Sequence, residues 1–240
     1  MSIKHKAVKA TLDVGTAVEW NDDHIVNYES CISHEMFFMS PGVAVMWDTA
    51  ETAGTGVAPV LTFTDHHVIV ELDSGPAGND VSSMRHEFNG GVGNITHVND
   101  EPILSAAVWL EQYPVGTECI EWGFFDSGVA PFTANQDGAY FRIDTNAIYA
   151  VTGDGAAETA TDITPVAGIP EYINSRIELN GTNCLFYLND MDTASATHTT
   201  NLPDSDLTIK YSCKNIGGGG GNQVLLYTDG CALTRLRYTG

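Results

Sequence analysis

From Tyr28 onward the chain alternates apolar and polar residues with a period of two. In His67–Leu72, Val68, Val70 and Leu72 share a face; in Ser105–Tyr113, Ala106, Val108 and Leu110 face one way and Ala107, Trp109 and Glu111 the other. Tyr140–Asp144 places Arg142 and Asp144 together, and Leu207, Ile209, Tyr211 and Cys213 alternate with Thr208, Lys210 and Ser212. Successive strand side chains point to opposite faces, so these runs predict half-buried antiparallel strands. Asn174–Asn189 predicts a hairpin: Arg176, Glu178 and Asn180 alternate with Ile177 and Leu179, Asn180-Gly181 supplies the turn, and Cys184–Leu188 returns. Both turn residues tolerate positive φ, which a tight hairpin needs.

Turn signals recur at Ser74-Gly75-Pro76, Asn89-Gly90-Gly91, Asp137-Gly138, Gly153-Asp154-Gly155 and Asp229-Gly230. No stretch after residue 28 sustains helical periodicity over ten residues. Short strands between Gly, Pro and Asn turns predict an all-β fold, an antiparallel β-sandwich or jelly roll, over residues 28–240. Residues 1–27 read as an N-terminal arm. Thr16-Ala17-Val18-Glu19 has capping-box spacing, so a short helix through about Asn27 is expected there.

Charge sharpens this division. The chain has 240 residues, with 31 Asp+Glu against 10 Lys+Arg and a net charge of −21. Charged residues are 17% of the total, below the roughly 25% usual in soluble domains, so the acidity reflects missing bases. Three of the five lysines (Lys4, Lys6, Lys9) lie in the arm. The acidic body repels phosphate backbones, which argues against nucleic-acid partners. The longest apolar runs, Val43–Trp47 and Ala106–Leu110, are far short of the ~20 residues of a membrane span. No apolar stretch follows the basic N-terminus, so a secretory leader is not expected and synthesis in the cytoplasm is.

Candidate chemistry is sparse. Cys31, Cys119, Cys184, Cys213 and Cys231 are scattered and without CxxC spacing, and read as small buried strand residues. Among eight histidines, His66 and His67 point to opposite strand faces, and His34-Glu35 and His86-Glu87 have no partner at metal-binding spacing. Asp190-Met191-Asp192 and Asp204-Ser205-Asp206 lack EF-hand spacing and read as solvated loop carboxylates, with calcium as the alternative. Paired acids for glycoside hydrolysis are offered by Glu118 with Glu121, Glu71 with Asp73, and Glu178. No Gly-x-Ser-x-Gly is present, and the glycine run Gly217–Gly221 lacks the Lys-Ser/Thr of a phosphate loop. Trp109 and Trp122 lie in strands, where core packing is the expectation. On this evidence no catalytic residue, cofactor or metal is assigned and the chain is not expected to be an enzyme.

Five segments carry a resemblance: Glu121-Trp122-Gly123-Phe124-Phe125-Asp126, Gly138–Ile143, Tyr172–Leu179, Leu185–Asp190 and Asn201-Leu202-Pro203. In this order they resemble the concanavalin A-like (laminin G-like) jelly roll of lectins, glucanases and viral fibre or capsid proteins. The Glu-x-Asp-x-Glu strand of the glucanase branch is missing, since Glu71-Leu72-Asp73 runs into Ser74-Gly75. Lys6–Ala10, Gly15-Thr16-Ala17 and Glu19-Trp20-Asn21-Asp22-Asp23-His24-Ile25-Val26 resemble the opening of tailed-virus structural proteins.

Together these imply a virion component, a capsid decoration, turret or tail-fibre protein. Its arm (Lys4, Lys6, Lys9, Trp20, Asn21, Asp23, His24) would dock on other virion proteins or on sister subunits of a homo-oligomer. Its jelly roll would be displayed outward, toward a host surface glycan. The alternative is a free carbohydrate-binding or glycan-hydrolysing protein of the same superfamily.

Overall fold

The structure is a computed structural model that describes residues 31–37, 47–48, 57–63, 68–75, 80–86, 96–112, 114, 119–126, 128, 130–144, 147–215 and 225–236. The arm, including Lys4, Lys6, Lys9, Trp20, Asn21, Asp23 and His24, and the Gly217–Gly221 run lie outside the described residues.

Two antiparallel sheets face one another. Sheet A holds β1 (Cys31–Phe37), β3 (Val57–Phe63), β4 (Val68–Asp73), β7 (Ile103–Gln112), β12 (Tyr172–Leu179), β13 (Cys184–Leu188), β14 (Ala196–His198) and β16 (Leu225–Leu236). Sheet B holds β2 (Trp47–Asp48), β5 (Val81–His86), β6 (Thr96–His97), β8 (Cys119–Asp126), β9 (Gly138–Asp144), β10 (Ala147–Gly153), β11 (Glu158–Asp162) and β15 (Asp206–Lys214). The orders are β14-β13-β12-β7-β16-β4-β3 with β1 also on β16, and β11-β10-β9-β8-β15-β5-β2 with β6 also on β15. The all-β sandwich expected from the period-two pattern is the fold observed.

The alternation decides which side chains fill the space between the sheets. Sheet A sends in Leu104, Ala106, Val108, Leu110, Ile173, Ile177 and Phe186; sheet B sends in Ile120, Trp122, Phe124, Phe141, Ile143, Ile209 and Tyr211. Trp122 stacks on Phe141 with ring centroids 5.2 Å apart, and Phe141 meets Phe186 edge-on at 5.4 Å. The Trp122 indole N–H donates across the core to Ser175 Oγ at 2.9 Å, and Ser175 donates on to the Ala106 carbonyl at 3.0 Å. One serine thereby joins β8 of sheet B to β12 and β7 of sheet A. Cys184, Cys213 and Cys231 are free and buried in this core.

The hairpin forms as expected, but its turn is longer. Leu179 pairs with Cys184, leaving a four-residue connection. Gly181 alone takes positive φ (78°), while the Asn180 side-chain oxygen accepts from the Asn183 N–H at 2.9 Å. Asparagine acts here through its side chain rather than through a left-handed backbone.

Beside this hairpin, where β14 pairs with β13 at the edge of sheet A, His198 ties the two sheets together. Its Nδ1 lies 3.0 Å from the Thr152 hydroxyl and its Nε2 2.9 Å from that of Thr161, on β10 and β11. Thr152 already donates to the Thr200 carbonyl, so it accepts from Nδ1–H and leaves Nε2 to accept from Thr161. Burial lowers the pKa of the ring from its ordinary 6.5, which favours this neutral form. Replacing His198 by alanine is expected to cost about 2 kcal/mol, two net hydrogen bonds with a buried hydroxyl left behind. Urea denaturation at pH 7.5 measures it, and a change under about 0.5 kcal/mol would show that the latch carries no weight.

Candidate functional site

The outer faces of the two sheets differ in chemistry, and each assembles a candidate site. On sheet A, Ile173, Ser175, Ile177 and Leu179 point inward, which turns Tyr172, Asn174, Arg176 and Glu178 outward. The register sets them directly against β7: Tyr172 faces Trp109, Asn174 faces Ala107, Arg176 faces Ser105 and Glu178 faces Ile103. Trp109 is 39% exposed and Tyr172 52%. The core position expected for Trp109 is therefore corrected: Ala106, Val108 and Leu110 take the inward positions of β7, and Trp109 falls in the opposite register. Trp122 does occupy the core.

Trp109 is fixed in place. Its indole N–H donates to Glu171 Oε1 at 2.9 Å, and the Glu171 carbonyl accepts from the Leu110 N–H at 2.9 Å. At the other end of the face Arg176 lies 3.9 Å over the Tyr187 ring, pairs with Glu178 at 2.8 Å and donates to the Met191 carbonyl. Between the two ends the floor consists of the small side chains Ala107 and Ser105. Trp109 and Ser105 are four positions apart, about 13 Å along the strand. The result is an aromatic platform and a polar cluster joined by a shallow floor.

On sheet B the inward turn of Ile120, Trp122 and Phe124 sends Glu121, Gly123 and Phe125 outward. Register places Ser83, Ser212, Glu121, Arg142, Tyr149 and Asp162 in one row across β5, β15, β8, β9, β10 and β11. The adjacent row contains Lys210, Gly123 and Tyr140. Gly123 has φ 148°, and a Cβ there would sit 2.6 Å from the Ala139 carbonyl oxygen and from Tyr140 Cα, so only glycine lets β8 and β9 approach this closely.

Glu121 is buried beneath residues 130–137. Its Oε2 accepts from Gln136 Nε2 at 2.8 Å and from the Phe132 N–H at 3.2 Å. Gln136 can lie so close because Gly153 has no Cβ to meet its carbonyl. Burial pushes the Glu121 carboxyl up to about 7; the bonds from Gln136 and Phe132 and the nearby Arg142 charge oppose the rise. Arg142 is itself committed to Glu158 through bonds of 2.9 and 3.3 Å. Arg142 Nε is buried without a hydrogen-bond partner, and the buried Tyr140 hydroxyl lies against the Gln136 side-chain amide.

The other acids named from sequence fall elsewhere. Glu118 lies outside the described residues. Asp73 caps a turn by accepting from the Gly75 N–H, and Glu178 belongs to the Arg176 cluster on the other sheet. The Asp190 carboxylate is occupied by the Asp192 and Thr193 amides of its own loop. Among the described residues no group of three or more His, Cys, Asp or Glu side chains is placed to hold a metal ion.

This sandwich is a concanavalin A-like jelly roll. No protein-family model matches the chain, and no curated protein matches it either. Solved structures do. The Bacillus licheniformis beta-glucanase superposes with a TM-score of 0.56 at 12% identity, covering 85% of this chain and 97% of its own. A beta-1,3-1,4-glucanase (lichenase) from a mouse hindgut metagenome gives 0.56 at 10% identity, covering 85% and 98%. A protein of unknown function from Shewanella oneidensis MR-1 gives 0.57 at 11% identity, covering 96% and 98%. At such identities the likeness is one of fold.

It nevertheless corrects the expectation that this chain is not an enzyme. Two of these neighbours are glucanases, so the fold is one that catalysts use. The resemblance of the arm to tailed-virus proteins has no counterpart in these comparisons.

Proposed function

We propose that this chain is a glycan-recognising jelly-roll protein carried on a virus particle, with its ligand lying across the outer face of sheet A. The exposed pair Trp109 and Tyr172 carries this reading. Aromatic faces offer sugars an apolar surface for stacking, and here Glu171 holds the tryptophan while Arg176, Glu178 and Asn174 supply hydrogen-bond partners along the same face. An apolar surface with a few convergent polar groups is the usual make-up of a ligand site. Placement on a particle rests on the arm, whose Glu19–Val26 segment is similar to tailed-virus structural proteins and whose lysines contrast with the acidic body.

Binding to a glycan array, followed by titration of the best ligand, tests the recognition. Trp109→Ala is expected to weaken binding at least tenfold, about 1.4 kcal/mol, with less than about 1 kcal/mol lost in stability because the side chain is exposed. Unchanged affinity in Trp109→Ala would overturn the site. Removal of residues 1–27 tests the particle: the remaining domain should fold yet fail to incorporate.

A second reading, glycan hydrolysis, is favoured by Glu121, a carboxyl poised near neutral pH as a general acid requires. Such hydrolysis would take place on sheet B, away from the Trp109 platform. Release of reducing ends from a glycan panel, abolished in Glu121→Gln and kept in Trp109→Ala, would establish it.

A further inference from the structure

We propose that residues 130–137 form a strap that lifts from the outer face of sheet B when the Glu121 carboxyl beneath it ionises, uncovering Glu121, Tyr140 and Arg142. The proposal concerns the sheet opposite the aromatic platform and does not depend on glycan binding.

The strap's attachment converges on one atom. Phe132, by its backbone N–H, and Gln136, by its side-chain amide, both donate to Glu121 Oε2. The strap's C-terminal end is anchored, since the Asp137 carbonyl accepts from the Asp126 N–H at 2.9 Å and its carboxyl bonds to Ser205, so the strap would hinge there. Elsewhere the ties are lighter: Asn135 reaches the Ala156 carbonyl on the exposed surface, and the Lys214 ammonium lies 5.8 Å from the Phe132 ring centroid. Closure also imposes strain. Phe132 and Asn135 hold φ of 60° and 55°, left-handed values that a bulky residue such as phenylalanine adopts only when its surroundings enforce them. And closure leaves Arg142 Nε dry and unpartnered and the buried Tyr140 hydroxyl with no partner beyond the Gln136 amide, groups that water would reach once the strap moved.

Charge on Glu121 tips this balance. The groups facing it are Arg142 on β9, whose charge is shared with Glu158 of β11, Tyr140 on β9 and Cys119 on its own strand. The strap itself carries Asp137, whose carboxyl burial also pushes up, and has Lys214 of β15 beside Phe132. Arg142, the cation whose charge acts on Glu121, is already paired, so it compensates a second carboxylate only in part. The two strap N–H groups favour the ionised form, but burial outweighs them, and the covered carboxyl titrates at about 7. Lifting the strap restores hydration and returns the group toward the ordinary 4.5. By linkage, ionisation therefore favours the lifted strap. The closed-to-lifted ratio falls with rising pH by up to about 300-fold, one tenfold step for each unit between the two values.

Hydrogen–deuterium exchange of the intact chain, with rates divided by the intrinsic exchange rate at each pH, tests this. Between pH 5.5 and 8.5 the peptide spanning 130–137 is expected to lose at least tenfold in protection while the β12–β13 hairpin keeps its own. In Glu121→Gln, where an uncharged amide oxygen can accept both donors, the strap should stay protected at both pH values. Equal strap protection at the two pH values in the unmodified chain would overturn the proposal. So would an equal loss in the hairpin, which signals global unfolding, or an undiminished loss in Glu121→Gln. If that variant does not fold, the comparison of strap and hairpin in the unmodified chain decides alone.

Discussion

Trp122→Ala is expected to cost about 4 kcal/mol, within the range for removing a large aromatic from a closed core. The side chain is wholly buried, stacked on Phe141 and bonded to Ser175. Its removal leaves a cavity between the sheets and removes the donor that Ser175 Oγ accepts from. Domains of this size hold only about 5–15 kcal/mol in total, so the alanine variant should unfold at much lower urea. Trp122→Phe separates the terms. It keeps a ring against Phe141 but loses the indole N–H, and should cost about 1–2 kcal/mol. Urea midpoints for the three proteins measure both. An alanine variant within about 1 kcal/mol of the parent would mean that the sheets close over the gap.

The second large effect is a pH dependence. The covered Glu121 carboxyl is held at about 7 against an ordinary 4.5, chiefly by burial. Below pH 4.5 folded and unfolded chains are both protonated there, and the folded state's advantage is complete. Between 4.5 and 7 the unfolded chain has released the proton and the folded one still holds it, so stability falls as pH rises. Above 7 the loss is complete at about 3–4 kcal/mol, about 1.4 kcal/mol for each pH unit between the two values. His198, whose pKa is lowered by burial, acts in the opposite sense: the folded state takes up its proton less readily, so stability falls as pH drops below 6.5. The Glu121 contribution is therefore isolated as the difference between the parent and Glu121→Gln. That difference should change by about 3–4 kcal/mol from pH 4 to 8 if the carboxyl stays covered. A strap that lifts limits the change to whatever lifting costs, so a smaller value accompanied by strap exchange supports the gate. A flat difference with no strap exchange contradicts the raised pKa itself.

The fold was legible because the signal that specifies it is local. Alternation in Ser105–Leu110, Tyr140–Asp144 and Leu207–Cys213 states which residues share a face, and the strands observed over these segments follow it. The half-burial expected of Leu207–Cys213 is corrected: Thr208, Lys210 and Ser212 on its polar side are buried too. Four of the five segments that carry the resemblance are β8, β9, β12 and β13, and the fifth, Asn201-Leu202-Pro203, lies in the connection between β14 and β15. The sites were less legible because each depends on which strands become neighbours. Trp109 and Tyr172 are 63 positions apart and meet only through the β7–β12 register. A tryptophan in a strand can face either way, and the inward set of Ala106, Val108 and Leu110 was the available sign that Trp109 points out. Glu121 left a fainter trace: Cys119–Phe125 is apolar apart from this one acid, as expected of a strand covered on both faces. Which loop covers the second face is a matter of tertiary structure, and no spacing in the sequence encodes it.

The position of β15 and β16 has a consequence for biosynthesis. In sheet A, β16 stands between the β7–β12–β13–β14 half and the β4–β3 half; in sheet B, β15 stands between the β8–β9–β10–β11 half and the β5–β2 half. Both keystones come from residues 206–236. A nascent chain can form its hairpins early, yet until these two strands leave the ribosome the inner edges of four part-sheets have no partner. Folding must therefore wait for the end of translation of this region. Unpaired edges of this kind are where β chains adhere to one another, so premature termination before residue 206 yields aggregation rather than a smaller soluble domain.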